Sequence, residues 1–325
     1  MIPPLAEVLE TARVVALPMT TRFRGVDVRE ALLFEGPEGW AEFSPFAEYD
    51  DAEASTWLAA ALADAWERRP PFLRDRIRVN ATVPAVPAEA VPVVLARFDG
   101  CRTAKVKVAE PGQTLADDVA RVRAVREAMG PEGRIRVDAN GGWSLDEAER
   151  AIHALGPFDL EYVEQPCATI PELADLRARI RYLDIPLAAD ESVRKATDPL
   201  AVARAGAADL LVVKAQPLGG VRRAIAIVAD AGLPAVVSSA LDTAVGLSQG
   251  AALAAALPTL DYDCGLGTAS LFTDDVAEAR PSDGTVAVGR VTPDRQALDR
   301  LAASAERRDW WLDRLGRCHA LLAAG

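Results

Sequence analysis

The amino-acid sequence predicts a (β/α)8-type barrel preceded by an α+β capping domain. From residue 78 onward, short apolar runs alternate with helical stretches at a nearly constant spacing. Strands that alternate with helices in this way over about 200 residues are typical of a parallel barrel. Before residue 78, strand-like runs follow one another across tight turns, as antiparallel strands do. A doubly wound open sheet is the alternative, and the constant spacing favours the barrel.

Residues 1–77 are predicted to form the capping domain. The runs "ARVVALPM", "VREALLFEG" and "GWAEFSPF" predict three antiparallel strands, and the Gly and Pro of "EGPEGW" favour a turn between the last two. Asp50 or Asp51 is then expected to cap a helix that runs through "STWLAAALADAWERR".

Residues 78–285 are predicted to form the barrel. Its strands are expected at "RVNATV" (78–83), "TAKVKV" (103–108), "RIRVDA" (134–139), "LEYVEQ" (160–165), "IPLAAD" (185–190), "DLLVVK" (209–214), "PAVVSS" (234–239) and, more weakly, "DYDCGLG" (261–267). Among the intervening helices, one is marked by the capping box of Ser144 and Glu147. Residues 286–325 predict a strand and one long helix capped by Thr292, packed beside the capping domain or the barrel flank.

Composition excludes several classes of protein. Half of the 325 residues are hydrophobic and 26% are charged, which indicates a globular chain. The net charge of −12 argues against a nucleic-acid or anionic-membrane partner. No apolar run reaches the roughly 18 residues of a membrane span, and the amino terminus lacks the basic start of a signal peptide. Four widely spaced cysteines predict free thiols in a reducing compartment, so we expect a cytoplasmic protein. The expected partner is a small molecule, and the oligomeric state is not predicted.

The run "TAKVKV" carries two lysines where a barrel strand should be buried. Lys105 and Lys107 are two residues apart and therefore share one face of the strand. Because both faces of a parallel strand are covered, that face is expected to point into the barrel. Lys107 would then lie at the mouth of the barrel, with Lys105 about 6–7 Å deeper.

Three carboxylates occur at matching points of the next strands. Asp138, Glu164 and Asp190 each end a strand and are spaced 26 residues apart. Catalytic groups of barrel enzymes lie at these ends, and three converging oxygen donors suit a hard cation such as Mg²⁺. Lys107 precedes the acids and Lys214 follows them. Individually, Asp190 could cap the next helix, but the ordered set favours a site.

Further polar groups follow the later strands. Ser238 and Ser239 end the seventh strand, and Gly265 lies in "CGLGT" after the eighth, where barrel enzymes often bind anions through backbone N–H groups. Neither of the two histidines, His153 and His319, is at a strand end, so a Ser-His-Asp triad is excluded.

Five motifs together resemble the enolase superfamily. "KVK", "VDAN", "VEQP", "AADES" and "VVKAQPLGG" stand in its order and spacing, with the two lysines of its muconate-lactonizing-enzyme-like subgroup. The resemblance covers essentially the whole chain and implies a TIM-like, enolase-type barrel. The stretches "FRGVDVREALLF", "GWAEFSPFAEYD", "NATVPAV" and "SSALDTAVGL" further resemble the o-succinylbenzoate synthase family of menaquinone biosynthesis.

The resemblance implies a Mg²⁺-dependent dehydration, with Mn²⁺ as an expected substitute. Its substrate would be 2-succinyl-6-hydroxy-2,4-cyclohexadiene-1-carboxylate, a small carboxylate that becomes aromatic on losing water. Removal of a proton next to a carboxylate creates an ene-diolate, which needs a neutral base and a nearby cation. The implied roles are base for Lys107, opposing cation for Lys214, metal ligands for Asp138, Glu164 and Asp190, and substrate contacts for Arg24, Lys105, Ser238, Ser239 and Gly265, with Asn140, Asp261 and Asp263 as further candidates.

Other activities stay open on the same scaffold. Related dipeptide epimerases bind a substrate ammonium through a D-x-D motif, which Asp261 and Asp263 match, although loop acids are the favoured interpretation. N-acylamino acid racemisation is a closer alternative. A non-catalytic barrel or an unrelated Mg²⁺-dependent aldolase represents a different class.

Overall fold

The computed structural model describes residues 2–23, 25–194 and 198–324. At the amino terminus, three strands form an antiparallel sheet in the order β1-β2-β3, with one helix before it and one after it. These elements are α1 (Leu5–Thr11), β1 (Arg13–Phe23), β2 (Val26–Gly36), β3 (Gly39–Phe43) and α2 (Asp51–Trp66). The three predicted strands are confirmed, whereas α1 was not predicted.

Helix α2 begins where the sequence places its cap. The Asp50 carboxylate accepts a hydrogen bond of 2.8 Å from the Glu53 backbone N–H, as an N-cap does. The helix then buries Trp57 and Leu58 against the sheet, where Phe34 and Phe43 are fully buried as well. These apolar side chains belong to the same continuous core as those of the barrel.

Seven parallel strands follow within the described ranges and form a curled sheet in the order β11-β10-β9-β8-β7-β6-β5. After β4 (Arg76–Arg78), they are β5 (Ala81–Val83), β6 (Thr103–Lys107), β7 (Arg134–Asp138), β8 (Leu160–Glu164), β9 (Leu187–Ala189), β10 (Leu210–Val213) and β11 (Ala235–Val237). The predicted eighth strand is reduced to two parallel bridges, Ser238–Gly265 and Val79–Cys264, which link the two edges of the sheet. The barrel prediction is therefore confirmed.

Helices cover the outside of the sheet. They are α3 (Val91–Leu95), α4 (Leu115–Met129), α5 (Leu145–Leu155), α6 (Ile170–Ile180), α7 (Glu191–Arg194), α8 (Ala201–Arg204), α9 (Val221–Ala231) and α10 (Ala244–Ala256). The capping box that starts α5 is confirmed, because Glu147 accepts from the Ser144 N–H at 2.9 Å and from its hydroxyl at 2.7 Å. None of the helices in the described part of the chain is both long and apolar enough to cross a lipid bilayer.

The carboxyl-terminal segment differs from its prediction. It contains β12 (Thr285–Ala287), which pairs antiparallel with β4, followed by α11 (Arg295–Arg300) and α12 (Ala305–Ala324). The prediction of one helix capped by Thr292 is wrong, because Asp294 caps α11 and the helix stops at residue 300. There Leu301 accepts from the Ala16 N–H at 2.8 Å, so the chain joins the edge of β1 instead of continuing the helix. Helix α12 packs against α2.

Candidate active site

Strand β6 places both lysines inside the barrel mouth, where they contact carboxylates. Lys105 Nζ lies 2.9 Å from Asp138 Oδ2 and 2.8 Å from Glu164 Oε1. Lys107 Nζ lies 2.6 Å from the same Asp138 oxygen and also donates to Asn140 Oδ1. The parallel register pairs Lys107 with Asp138 and Asp138 with Glu164, which aligns the three strand ends. The charge of the buried lysines is thus balanced by the neighbouring acids.

A second group of charged side chains follows β9 and β10. Lys214, which follows β10, donates to Asp190 Oδ2, and Arg194 Nε lies 3.1 Å from Asp190 Oδ1. Arg194 also contacts Glu191 Oε1 at 2.7 Å and donates to the Tyr49 hydroxyl of the capping domain at 3.1 Å. Asp190 is therefore held between two cations, one of which connects it to the capping domain.

The buried acids differ sharply in proton affinity. Burial alone would raise the pKa of Asp138, but the ammonium groups of Lys105 and Lys107 outweigh burial and hold that pKa well below its usual value. The pKa of Glu164 shifts in the opposite direction, because burial and the nearby Asp138 carboxylate raise it to about 7. Among the three predicted metal ligands, Glu164 is therefore the one whose negative charge is least compensated.

Lys105 and Lys214 also differ in proton affinity. Burial opposes the charge of Lys105, yet Asp138 and Glu164 raise its pKa above the ordinary lysine value. Burial lowers the pKa of Lys214, and Arg194 acts in the same direction, while Asp190 opposes them. The ammonium form of Lys214 hence depends on its contact with Asp190.

Asp138, Glu164 and Asp190 are the candidate ligands for a divalent cation. Within residues 2–23, 25–194 and 198–324, no group of three or more Asp, Glu, His or Cys side chains is arranged so that it could hold a metal ion directly. Each predicted ligand is instead directed toward a lysine. However, Glu164 Oε2 is buried and has no hydrogen-bond partner, which is costly for a carboxylate oxygen. Three oxygen donors on adjacent strands with one unsatisfied atom fit a hard cation.

The predicted serine and glycine positions face the same cavity. Its lining includes Lys105, Lys107, Asp138, Asn140, Asp190, Lys214, Ser238, Ser239 and Gly265. A Cβ at residue 265 would lie 2.5 Å from the Ser238 hydroxyl oxygen, so any larger residue there would displace the Ser238 side chain. The Ser239 hydroxyl donates to the Gly265 carbonyl at 2.8 Å, which fixes the two loops together. Arg24 lies outside the described residues.

Asp261 and Asp263 are not brought to this cavity. The Asp263 carboxylate lies 2.6 Å from Arg134 Nη2 and 3.1 Å from Arg78 Nε, and it accepts from the Thr103 hydroxyl at 2.8 Å. Thr103 and Arg134 begin β6 and β7, so Asp263 lies at the end of the barrel opposite to Lys107. Asp261 is exposed.

Sequence reasoning missed three side chains that shape the site. Phe23, at the end of β1, lies beside the cavity with its ring centroid 5.4 Å from Lys107 Nζ. Gln165 accepts from the Asp190 and Ser192 N–H groups and so positions the start of α7. Arg194 could have been found, because it follows Asp190 at the i,i+4 spacing of helical ion pairs. Nothing local in the sequence marks Phe23.

Comparison with known proteins identifies the family. Residues 89–295 match the family described as "Enolase C-terminal domain-like", and residues 14–65 match "Enolase N-terminal domain-like". The o-succinylbenzoate synthase of Mycolicibacterium smegmatis is 59% identical over 323 residues, covering 99% of both chains. The chain belongs to the o-succinylbenzoate synthase family of the enolase superfamily. The family member of Mycobacterium tuberculosis is 57% identical over 325 residues, covering 99% of this chain and 97% of its own.

Solved structures of more distant enolase-superfamily members share the fold. A muconate lactonizing enzyme from Pseudomonas putida matches 90% of this chain and 98% of its own with a TM-score of 0.72 at 20% identity. An N-succinyl Arg/Lys racemase from Bacillus cereus matches 90% of this chain and 97% of its own with a TM-score of 0.76 at 19% identity. The capping domain and barrel of this family member therefore follow the superfamily architecture.

Proposed function

We propose that this chain dehydrates 2-succinyl-6-hydroxy-2,4-cyclohexadiene-1-carboxylate to 2-succinylbenzoate, a step of menaquinone biosynthesis. The observation that carries the proposal is one cavity lined by Lys107, Lys214, Asp138 and Asp190, in a chain that belongs to the o-succinylbenzoate synthase family. The third carboxylate, Glu164, is buried next to this cavity and contacts its lining residue Lys105. A base, an opposing cation and a set of metal ligands are the groups that a proton abstraction next to a carboxylate requires.

Lys107 is proposed as the base and as the acid of the same turnover. As a neutral amine it takes the proton next to the ring carboxylate, and the electron pair moves into an ene-diolate. The resulting ammonium then protonates the departing hydroxyl on the same face, so one C–H and one C–O bond break and water leaves. Lys107 lies at the barrel mouth next to Asn140 and below Phe23, where a substrate ring can reach it.

Lys214 is proposed to remain an ammonium ion throughout. Strands β7, β8 and β9 lie between β6 and β10, so Lys214 is across the cavity from Lys107. Its contact with Asp190 supports the charged form, and that charge would stabilise the ene-diolate.

Asp138, Glu164 and Asp190 are the proposed ligands of a Mg²⁺ ion, with Mn²⁺ as a substitute. When bound, such a cation stabilises negative charge on a substrate carboxylate. Lys105 would add positive charge from the floor of the cavity, since it already bridges Asp138 and Glu164. We therefore expect activity to be lost in excess chelator and restored by added Mg²⁺, whereas full activity in chelator would refute the ligand set.

Substrate contacts are proposed for the loops around the mouth. Ser238, Ser239 and Gly265 present hydroxyl and main-chain groups from two linked loops. Arg24 is proposed as a further contact, from the capping domain. Phe23 covers Lys107 and would help to exclude water during proton transfer.

Racemisation of N-succinyl amino acids is the second candidate, because lysines on both sides of the carboxylates suit a two-base exchange. Dipeptide epimerisation is disfavoured, since Asp263 is engaged by two arginines at the other end of the barrel. A racemase needs both lysines as acid–base groups, whereas a dehydration on one face needs only Lys107.

The test compares Lys107→Ala with Lys214→Arg, which keeps the charge but removes a usable base. Turnover of the cyclohexadiene acid and α-proton exchange of an N-succinyl amino acid in D₂O are measured for both. Lys107→Ala should eliminate dehydration, and Lys214→Arg should retain measurable dehydration while losing exchange. Dehydration by Lys107→Ala with an inactive Lys214→Arg would reverse the roles, and two fully active variants would refute the site.

A further inference from the structure

One wall of the cavity is an irregular segment between β11 and α10, which we call the wall segment (residues 238–243). Ser238, Ser239, Ala240 and Leu241 all line the cavity. Leu241 has a backbone φ of +61°, which is strained for a bulky residue. Such a conformation persists only where the surrounding contacts impose it. The shape of this wall must therefore be held by other parts of the molecule.

Arg29 of strand β2 supplies one of these contacts. Its side chain is buried, with the residue only 4% exposed, and its Nε donates to the carbonyl of Leu241 at 3.2 Å. Another guanidinium nitrogen donates to the carbonyl of Ser44, and the group lies 4.3 Å from the ring centroid of Phe46. The capping domain thus fixes the guanidinium, and the guanidinium holds the strained residue of the wall.

Glu42 of strand β3 holds the other end of the wall segment. Its Oε2 accepts from the Thr243 N–H at 2.9 Å, the Thr243 hydroxyl at 2.6 Å and the Gly246 N–H at 3.0 Å. Its Oε1 accepts from the Ser44 hydroxyl at 2.5 Å. A carboxylate at a helix N-terminus is stabilised by the N–H groups and by the helix dipole. The start of α10 is therefore capped by a residue of another domain.

We propose that Arg29 and Glu42 are positioning residues for the reaction. They transmit the docked position of the capping domain to the wall segment, and so set where Ser238 and Ser239 meet the substrate. This role rests on the proposed function, because it assigns the wall segment to substrate binding. Neither side chain lines the cavity, so both act through the backbone that they hold.

The chain offers a matched control for Arg29. Arg69 also precedes the barrel and has a buried side chain, which pairs with Asp64 at 2.7 Å. Its Nη1 donates to the carbonyl of Ser248 in α10 at 3.2 Å. This contact joins the capping domain to the same helix, but away from the wall segment. Arg29→Lys and Arg69→Lys each remove a planar fork and keep the charge. Both are expected to lower the unfolding temperature.

Only Arg29→Lys should change substrate binding. We expect its KM for the cyclohexadiene acid to rise about tenfold, the effect of losing one hydrogen bond from a charged donor, while Arg69→Lys stays within about twofold of the wild type. An unchanged KM in Arg29→Lys, or an equal rise in both variants, overturns the inference. Wild-type turnover is the separate test of the proposed function.

Glu42 is tested with Glu42→Ala and with Glu42→Gln, which keeps an acceptor for the helix. Glu42→Ala should raise KM and speed amide hydrogen exchange at Thr243 and Gly246, and Glu42→Gln should largely restore both. The exchange measurement needs no substrate, so it stays informative if the proposed function fails. If Glu42→Ala does not fold, the KM values of Glu42→Gln and Arg29→Lys test the proposal instead. If Glu42→Ala folds and its amide hydrogen exchange is unchanged, the proposed role of Glu42 is refuted.

Discussion

Replacing Glu164 with glutamine should stabilise the metal-free protein while abolishing its response to Mg²⁺. Glu164 is fully buried, and one of its oxygens has no hydrogen-bond partner. Burial and the Asp138 carboxylate raise its pKa from 4.5 to about 7. The folded protein therefore binds this proton more tightly than the unfolded chain does. The favourable contribution is complete below pH 4.5 and is lost as the pH rises through about 7.

The size of the effect follows from this pKa difference. At about 1.4 kcal/mol for each pH unit, the ionised Glu164 side chain costs the metal-free fold about 3 kcal/mol at pH 8. With an unfolding entropy of roughly 2.1 cal/mol/K per residue, this corresponds to about 5 °C for the 325-residue chain. Glu164→Gln should therefore unfold at a higher temperature than the wild type at pH 8 and at nearly the same temperature at pH 4.5.

The matched control is Asp138→Asn, the same chemical change at the neighbouring proposed ligand. Lys105 and Lys107 hold the pKa of Asp138 well below its usual value, so its charge stabilises the fold. This stabilisation is present above the unfolded-state pKa of 3.8 and is lost as the pH falls through the lower folded-state value. Breaking this buried contact should cost about 3 kcal/mol or more at pH 8.

The assay is thermal unfolding by circular dichroism in EDTA and in Mg²⁺ at both pH values. Mg²⁺ should raise the unfolding temperature of the wild type and leave both variants unchanged, because each lacks one proposed ligand. Two results would refute the reasoning: a Glu164→Gln variant less stable than the wild type at pH 8 in EDTA, or a wild-type rise in Mg²⁺ that Glu164→Gln retains.

Two further predictions concern other parts of the barrel. Asp263→Asn should lower the free energy of unfolding by about 2 kcal/mol, since its arginine partners are partly exposed, and should leave turnover of the cyclohexadiene acid unchanged; altered turnover would return Asp263 to the site. Gly265→Ala should raise KM, because the new Cβ would overlap the Ser238 hydroxyl at 2.5 Å and overpacking costs about 1–3 kcal/mol. Adding Ser238→Ala should relieve part of the overlap; equal KM values for Gly265→Ala and the wild type would contradict this.

The strand ends were predictable because two local rules act there. The two-residue period of a strand puts Lys105 and Lys107 on one face, and parallel register aligns the ends of neighbouring strands. Asp138 and Glu164 consequently meet the lysines as the sequence indicated. The polar character of these residues in an otherwise apolar run was the visible signal.

The remaining features depend on contacts between distant segments. The carboxyl-terminal helix stops at residue 300 because the following residues bond to β1, nearly 290 positions earlier in the chain. Arg29 and Glu42 reach the wall segment across the domain interface, about 200 residues along the sequence. No periodicity or cap records such pairings, so the single-sequence prediction extended the helix and overlooked both side chains.

The charge balance of the site predicts that a divalent cation and the substrate bind cooperatively. Among the described side chains that contact one another there, the cations equal the anions: Lys105, Lys107, Lys214 and Arg194 against Asp138, Glu164, Asp190 and Glu191. With all eight of these groups ionised, a divalent cation alone would leave the buried group with two excess positive charges. A dicarboxylate such as 2-succinylbenzoate would restore the balance, so each ligand should tighten the binding of the other, by about 5- to 150-fold for a typical coupling. Calorimetric titration of Mg²⁺ with and without 2-succinylbenzoate measures this coupling, with the monoanion benzoate as control. Equal Mg²⁺ affinities in the presence and absence of the dicarboxylate would show that charge balance does not govern the site.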